Sequence, residues 1–205
     1  RYDDFELLYA NFRDHLDRKL NQLMDDAPFS ADPCPLVSLL VEGCIERGRG
    51  YFDAGPIYTV LSPHGGGLPD VANSLLVIRW LVYEDREFTL QELVDILRSD
   101  WAEQESLRRR IQNQFDFYGN DNDEADALLQ RVFNDYTEII GRERERHGIL
   151  RPAGISTFGR EGSTYLPHRT ATASGRRSGS ILAATFSPSP GTDRAGPTNV
   201  IHSPS

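Results

Sequence analysis

"LVEGCIERGRGYFDAGPIY", Leu40–Tyr58, is the stretch on which the reading of this chain turns. It holds Cys44, one of two cysteines, with Glu46 two residues later, and then breaks at Gly48, Gly50, Gly55 and Pro56. A thiol beside a carboxylate reads in two ways. A nucleophilic or radical cysteine needs access to substrate and a controlled pKa or partner. A cysteine on an apolar stripe packs as a small hydrophobe, and cysteine is among the most buried residue types. Leu36, Val37, Leu39, Leu40, Val41 and Ile45 flank Cys44 and predict a short buried helix over 36–47, closed by Gly48 and Gly50. That stripe favours a structural role for Cys44; Cys44 with Glu46 as a catalytic pair is the alternative.

The pattern outward from this segment is mostly helical. Phe5, Leu8, Phe12, Leu16 and Leu20 recur at spacings of three and four and predict an amphipathic helix over 3–25. A turn follows at Pro28–Pro35. Residues 51–69 read as a glycine- and proline-rich loop with one extended piece, Ile57–Leu61. Asp70 is placed to N-cap an apolar helix over Val71–Val82. Thr89-Leu90-Gln91-Glu92 has the form of a capping box opening a helix to about Leu97. Further helices are expected at 101–113 and 123–146. After Gly148 the texture changes to extended pieces, Ile149–Phe158 and Ser180–Phe186, separated by a polar ordered loop over 159–179. Residues 187–199, "SPSPGTDRAGPTN", read as linker. The expected class is α/β: a helical part over 1–147 and a strand-and-loop part over 148–205, forming one domain.

Composition narrows the function classes. The 205 residues are 39% hydrophobic and carry a net charge of −9, which argues against a general nucleic-acid or anionic-membrane binder. No apolar run reaches the roughly 20 residues of a membrane span. Cys34 and Cys44 do not make a disulfide framework, so a reducing cytoplasm is expected. The chain opens at Arg1 and stops at Ser205 just after Val200–Ile201, and both ends read as cut from something longer.

Self-contained sites are not apparent. Gly65-Gly66-Gly67 precedes a helix but lacks the endings of phosphate-binding loops, and Asp70 repels an anion there. Residues 119–126, "GNDNDEAD", fail the spacing of a calcium loop, and helix capping accounts for the acids. His15, His64, His147, His168 and His202 have no metal-ligand spacing, and no metal is expected. Arg108–Arg110 read as a solvated helix face beside Glu103 and Glu105. Ser156 and Ser189 lack the context of a nucleophile elbow.

Three stretches, taken in order, carry more. "PLVSLLVEGCIERGRGYFDAGPIY" (35–58) with "GGGLPDVANSL" (65–75), then "FDFYGNDNDEAD" (115–126), then "TATASGRRSG" through "FSPSPGTDRAGPTNV" (170–200) resemble the pyruvate formate-lyase-like domain of glycyl radical enzymes. Cys44-Ile45-Glu46-Arg47-Gly48 matches that family's Cys-Ile-Glu-x-Gly, and Asp70-Val71-Ala72-Asn73-Ser74-Leu75 its Asn-Val-Ala-Asp-Ser-Leu region. Ser187–Gly191 and Gly196-Pro197-Thr198 match Ser-Pro-Ser-x-Gly and Gly-Pro-Thr. Departures stand at Pro56-Ile57, Ser62-Pro63-His64 and Ser174.

The resemblance implies part of a β/α barrel in an anaerobic radical lyase. It places the thiyl cysteine, in Gly-Cys-x-Glu, upstream of Arg1, and the radical glycine, in Arg-Val-x-Gly-Tyr, downstream of Ser205. It implies a glycyl radical installed by an activating enzyme with an iron–sulfur cluster and S-adenosylmethionine, a small-molecule substrate and a homodimer. The glycine takes hydrogen from the cysteine, the thiyl takes hydrogen from substrate, and a C–O, C–N or C–C bond breaks. Ile155, Ser156 and Phe158 are the residues it brings nearest a substrate pocket. The competing expectation is a stand-alone, non-catalytic binding module. As a fragment, the chain is expected to aggregate or pack loosely when expressed alone.

Overall fold

The computed structural model describes residues 2–26, 33–142, 145–146, 149–155 and 166–203. Helices dominate: α1 (Phe5–Asp26), α2 (Pro35–Leu40), α3 (Cys44–Arg47), α4 (Leu68–Ile78), α5 (Leu90–Arg98), α6 (Glu105–Gln114), α7 (Asp123–Gly141) and α8 (Pro197–His202). Two-residue strands lie at β1 (Thr59–Val60), β2 (His64–Gly65), β3 (Glu145–Arg146), β4 (Ile149–Leu150) and β5 (Gly154–Ile155). Mixed α and β is therefore found, with the strands in the middle of the chain. Residues 180–184 form no strand, and the segment bends through a turn at Thr185, whose φ is 53°.

The chain divides into two compact units. The first comprises residues 1–9, 65–134 and 155–205; the second comprises 10–64 and 135–154. The boundary falls within α1 and α7.

In the first unit the core is built on Leu76, Val77, Leu81, Leu93, Trp101, Ile111, Phe117 and Tyr118, all at most 2% exposed. α4 begins earlier than its apolar run implies. Gly67, at φ 72°, caps it, and Asp70 sits inside the first turn instead of at the cap. The helix continues through a π-helical turn, Arg79–Glu84. The capping box of α5 forms as expected: Glu92 N donates to Thr89 Oγ1 at 3.2 Å, and Thr89 N donates to the Glu92 carboxylate at 2.7 Å. α6 starts at Glu105, not 101, because Asp100, Trp101 and Glu103 hold left-handed backbone. On that helix Arg108 is no solvated residue: its guanidinium donates to the Gly175 carbonyl at 3.0 Å and pairs with Glu105 at 2.8 Å. Asn122 caps α7 through Glu124 N, so the amide and not the acids makes the cap.

The stretch that reads as linker is an ordered strap. Asn120 donates to the Thr192 carbonyl and accepts from Arg194 N and Ala195 N at 2.7 and 2.9 Å. Serine, proline and glycine make a segment unable to form regular ladders, but they leave its backbone groups free to be met by one asparagine.

The second unit packs the C-terminal part of α1 against the end of α7. Arg13 reaches Asp135 at 2.7 Å and Glu138 at 3.1 Å, and Arg142 reaches Asp17 at 2.7 Å. Such pairs orient more than they stabilise. Leu20, Met24, Tyr136, Ile139, Ile140 and Ile149 form the apolar core. β4 is central in a three-stranded sheet, parallel to β1 (Thr59 opposite Ile149) and antiparallel to β3 (Arg146 opposite Ile149). α7 ends at Gly141, not 146, because the chain turns there to supply β3.

The helix expected over 36–47 is two helices, and its apolar face is not buried. Leu36, Leu39 and Leu40 are 71%, 64% and 79% exposed, and Ile45 is 65% exposed. Gly43 makes the break. Its φ of 97° suits glycine, and a Cβ there would stand 2.7 Å from Ile57 N. Tyr58 and Val60 are exposed as well. This apolar surface belongs to one unit and has no cover among the described residues.

Candidate functional site

Two residue groups stand out, one leading to a position that sequence reading marks as a pocket candidate and one built from the motif stretches. The first is the segment 150–154 of the second unit, which ends just before Ile155. Leu61 N donates to the Leu150 carbonyl at 2.9 Å, Ser62 Oγ to the Pro152 carbonyl at 2.6 Å, and Gly154 N to the Pro63 carbonyl at 2.9 Å. The Tyr136 hydroxyl lies 2.8 Å from the Pro63 oxygen and 2.7 Å from the Gly154 oxygen, within donating distance of either. Residues 150–154 are thus pinned along 61–63. The approach at Gly154 is close: a Cβ would stand 2.6 Å from Ser62 Oγ and 2.9 Å from His64 Nε2, so those side chains would have to shift. Ile155 follows directly and is half-buried. Ser156 and Phe158 lie outside the described residues.

Arg151 sits in the pinned stretch at 3% exposure. Its Nε has no hydrogen-bond partner, and its guanidinium forms no ion pair among the described residues. Sequence reading missed Arg151, Tyr136 and the bracing role of Ser62. Tyr136 lies within the helix expected over 123–146 with nothing in its spacing to mark it, and Ser62 and His64 appear only as departures from a family pattern. The available signal for Arg151 was a lone cation between Ile149-Leu150 and Pro152.

Cys44 lies at 3% exposure at the start of α3. The Glu46 carboxylate accepts the Gly43 N–H at 3.0 Å and so caps that helix.

The second group is a buried polar hub in the first unit, made from the three motif stretches. Asp70 accepts from Ala183 N at 2.6 Å and from Ser189 Oγ at 3.0 Å. Asn73 donates to Ser189 Oγ at 3.2 Å and accepts from Tyr118 N at 3.1 Å. Arg176 Nε stands 3.8 Å from Asp70. Asp70, Asn73 and Ser189 are 2%, 0% and 6% exposed. Burial raises the Asp70 pKa against the lowering effect of these donors and of Arg176. Ser189 is thus a bridging hydroxyl, spent on structure. A cleft of about 740 Å³ elsewhere in this unit is lined by Asp121, Asp126, Phe133, Phe186 and His202. Burial raises the Asp126 pKa to about 6. The described residues contain no cluster of histidine, cysteine and acid able to hold a metal.

The pyruvate formate lyase-like family model matches residues 1–160. The chain belongs to that family. Within the family it is similar to trans-4-hydroxy-L-proline dehydratase of Clostridioides difficile, at 29% identity over 98% of this chain and 26% of that protein. It is 33% identical to the probable dehydratase YbiW of Escherichia coli, over 82% of this chain and 22% of that one. A solved structure from work on 1,2-propanediol dehydration in Roseburia inulinivorans superposes with a TM-score of 0.84 at 27% identity, covering 98% of this chain and 27% of its own. A glycyl radical enzyme from Archaeoglobus fulgidus superposes at 0.83 with 28% identity, over 97% of this chain and 26% of that one. The chain therefore spans about a quarter of the length of these family members. The hub joins stretches that lie far apart in this sequence: Asp70, Asn73, Tyr118 and Ser189 satisfy one another's buried groups.

Proposed function

We propose that this chain is a segment of an anaerobic glycyl radical enzyme that cleaves a C–O, C–N or C–C bond of a small molecule. The observation that carries this reading is the superposition over 98% of the chain on a structure from propanediol dehydration, together with the family match. Relatives include proteins named as dehydratases, an isethionate sulfite-lyase and an indoleacetate decarboxylase. The segment forms one domain with the rest of a β/α barrel, to which β1, β4 and β5 contribute.

When present in the intact enzyme, a glycyl radical installed by an S-adenosylmethionine-dependent, iron–sulfur activating enzyme supplies hydrogen-atom abstraction through a cysteine. This chain contributes wall and support. Ile155, with Ser156 and Phe158, borders the substrate, and Tyr136, Ser62 and Gly154 fix the strand on which Ile155 stands. A dry, shaped wall is what radical chemistry needs from such a segment. Burial of Cys44 and the capping duty of Glu46 support a structural role for both. The intact enzyme is a cytoplasmic homodimer. No helix among the described residues is long and apolar enough to cross a membrane.

The exposed leucines of α2 also suit a stand-alone binding module, the second reading. Sequencing the gene on both sides separates the two. A Gly-Cys-x-Glu motif upstream and an Arg-Val-x-Gly-Tyr motif downstream are expected. A reading frame confined to these residues would overturn the enzyme and leave the module.

A further inference from the structure

We propose that Arg151 is a carboxylate-binding residue, whose partner is a carboxylate outside the described residues. Three observations converge on it. The residue is 3% exposed, and its Nε lies out of contact with water. A guanidinium stays charged at any physiological pH, so it cannot escape the cost of burial by losing a proton. And the described residues give it no ion pair and leave Nε without an acceptor. The other deeply buried charge among the described residues, Asp70, is met by two hydrogen-bond donors and by Arg176. Arg151 is the exception.

The backbone around Arg151 does not look free to relieve this. Bonds at Leu150, Pro152 and Gly154 to residues 61–63 hold it on both sides. A fixed, buried and unneutralised fork is the arrangement a planar, bidentate carboxylate completes. A backbone carbonyl would satisfy an N–H but leave the charge uncompensated. The inference rests on the reading of the chain as part of a larger enzyme, and Arg151 lies four residues before Ile155, between β4 and β5. The carboxylate then has two sources: an acidic side chain of the protein, or a carboxylate-bearing ligand.

The test uses the full-length gene product with Arg151→Met and Arg151→Lys, its melting temperature followed with acetate or with acetamide as neutral control. If a protein side chain supplies the carboxylate, Arg151→Met melts several degrees lower, Arg151→Lys recovers part of the loss, and acetate changes neither. If a ligand supplies it, acetate but not acetamide raises the melting temperature of the unsubstituted protein. Its half-effective concentration then rises roughly tenfold in Arg151→Lys, and the response disappears in Arg151→Met. Arg151→Met melting at or above the unsubstituted protein, with no acetate response, overturns the proposal. Should Arg151→Met fail to fold, a crystal structure of the unsubstituted full-length protein decides: a carboxylate oxygen within hydrogen-bond distance of the guanidinium supports it, and carbonyl oxygens or water alone overturn it. None of these readouts requires turnover or a radical, so a missing radical activity leaves this test intact.

Discussion

Asp70 and Arg151 are both buried charges, at 2% and 3% exposure, and their surroundings are opposite. Asp70 sits in the first unit among groups drawn from the chain's own motifs, with a backbone N–H, a serine hydroxyl and an arginine turned toward it. Arg151 sits in the second unit, on the braced segment between β4 and β5, with no counter-charge among the described residues. The exposed leucines of α2 belong to that same second unit. The first unit meets its buried Asp70 carboxylate with its own groups. The second leaves a buried cation and an apolar face without a partner among the described residues.

The largest effect should come from removing the side that is complete. Asp70→Ala leaves Ala183 N and Ser189 Oγ without their acceptor and Arg176 without its charge, and should cost about 3 kcal/mol. Denaturant titration checks this; a loss below about 1 kcal/mol would mean the hub is not holding the three motifs together. Gly154→Ala tests the braced strand. The added methyl overlaps Ser62 Oγ, and a loss of about 1–3 kcal/mol is expected by the same titration.

A third substitution sharpens the contrast between complete and open surfaces. Leu40→Ser, at a side chain 79% exposed here, removes apolar surface that the proposed barrel would cover. In the full-length protein it should cost about 1–2 kcal/mol by denaturant titration; a change of no more than about 0.5 kcal/mol, as at an exposed position, would remove the contrast.

The smallest effect is a pH dependence in the first unit. Burial lifts the Asp126 pKa to about 6 from 3.8. The folded state therefore holds a proton that the unfolded chain releases between pH 4 and 6, so stability falls as pH rises through that window. Asp126→Asn should be neutral near pH 4 and stabilise by about 1 kcal/mol at pH 7, once screening by solvent at this part-exposed group is allowed for. Thermal melts at the two pH values read it directly. A gain at pH 4 as large as that at pH 7 would rule out ionisation as the cause.

What could be read from sequence follows the range of the interactions. α1 and α5 were legible because a 3.6-residue period and a capping box are local. The break at Gly43 was hidden, since nothing nearby says that Ile57 will approach within contact of its Cα. The strap over 187–199 reads as linker because its partner, Asn120, lies about seventy residues away. Of the candidate site, Ile155 and the motif residues of the hub were reached only through family resemblance. Arg151 was not reached at all, because a sequence shows a charge but not its burial.

The central claim, that this chain is part of a radical enzyme, is tested most directly by electron paramagnetic resonance of the full-length protein. It would be recorded after anaerobic incubation with its activating enzyme and S-adenosylmethionine. The account predicts a glycyl radical signal that appears only after this incubation. A folded full-length protein that shows no such signal when a bona fide family member activated alongside it does would contradict the account.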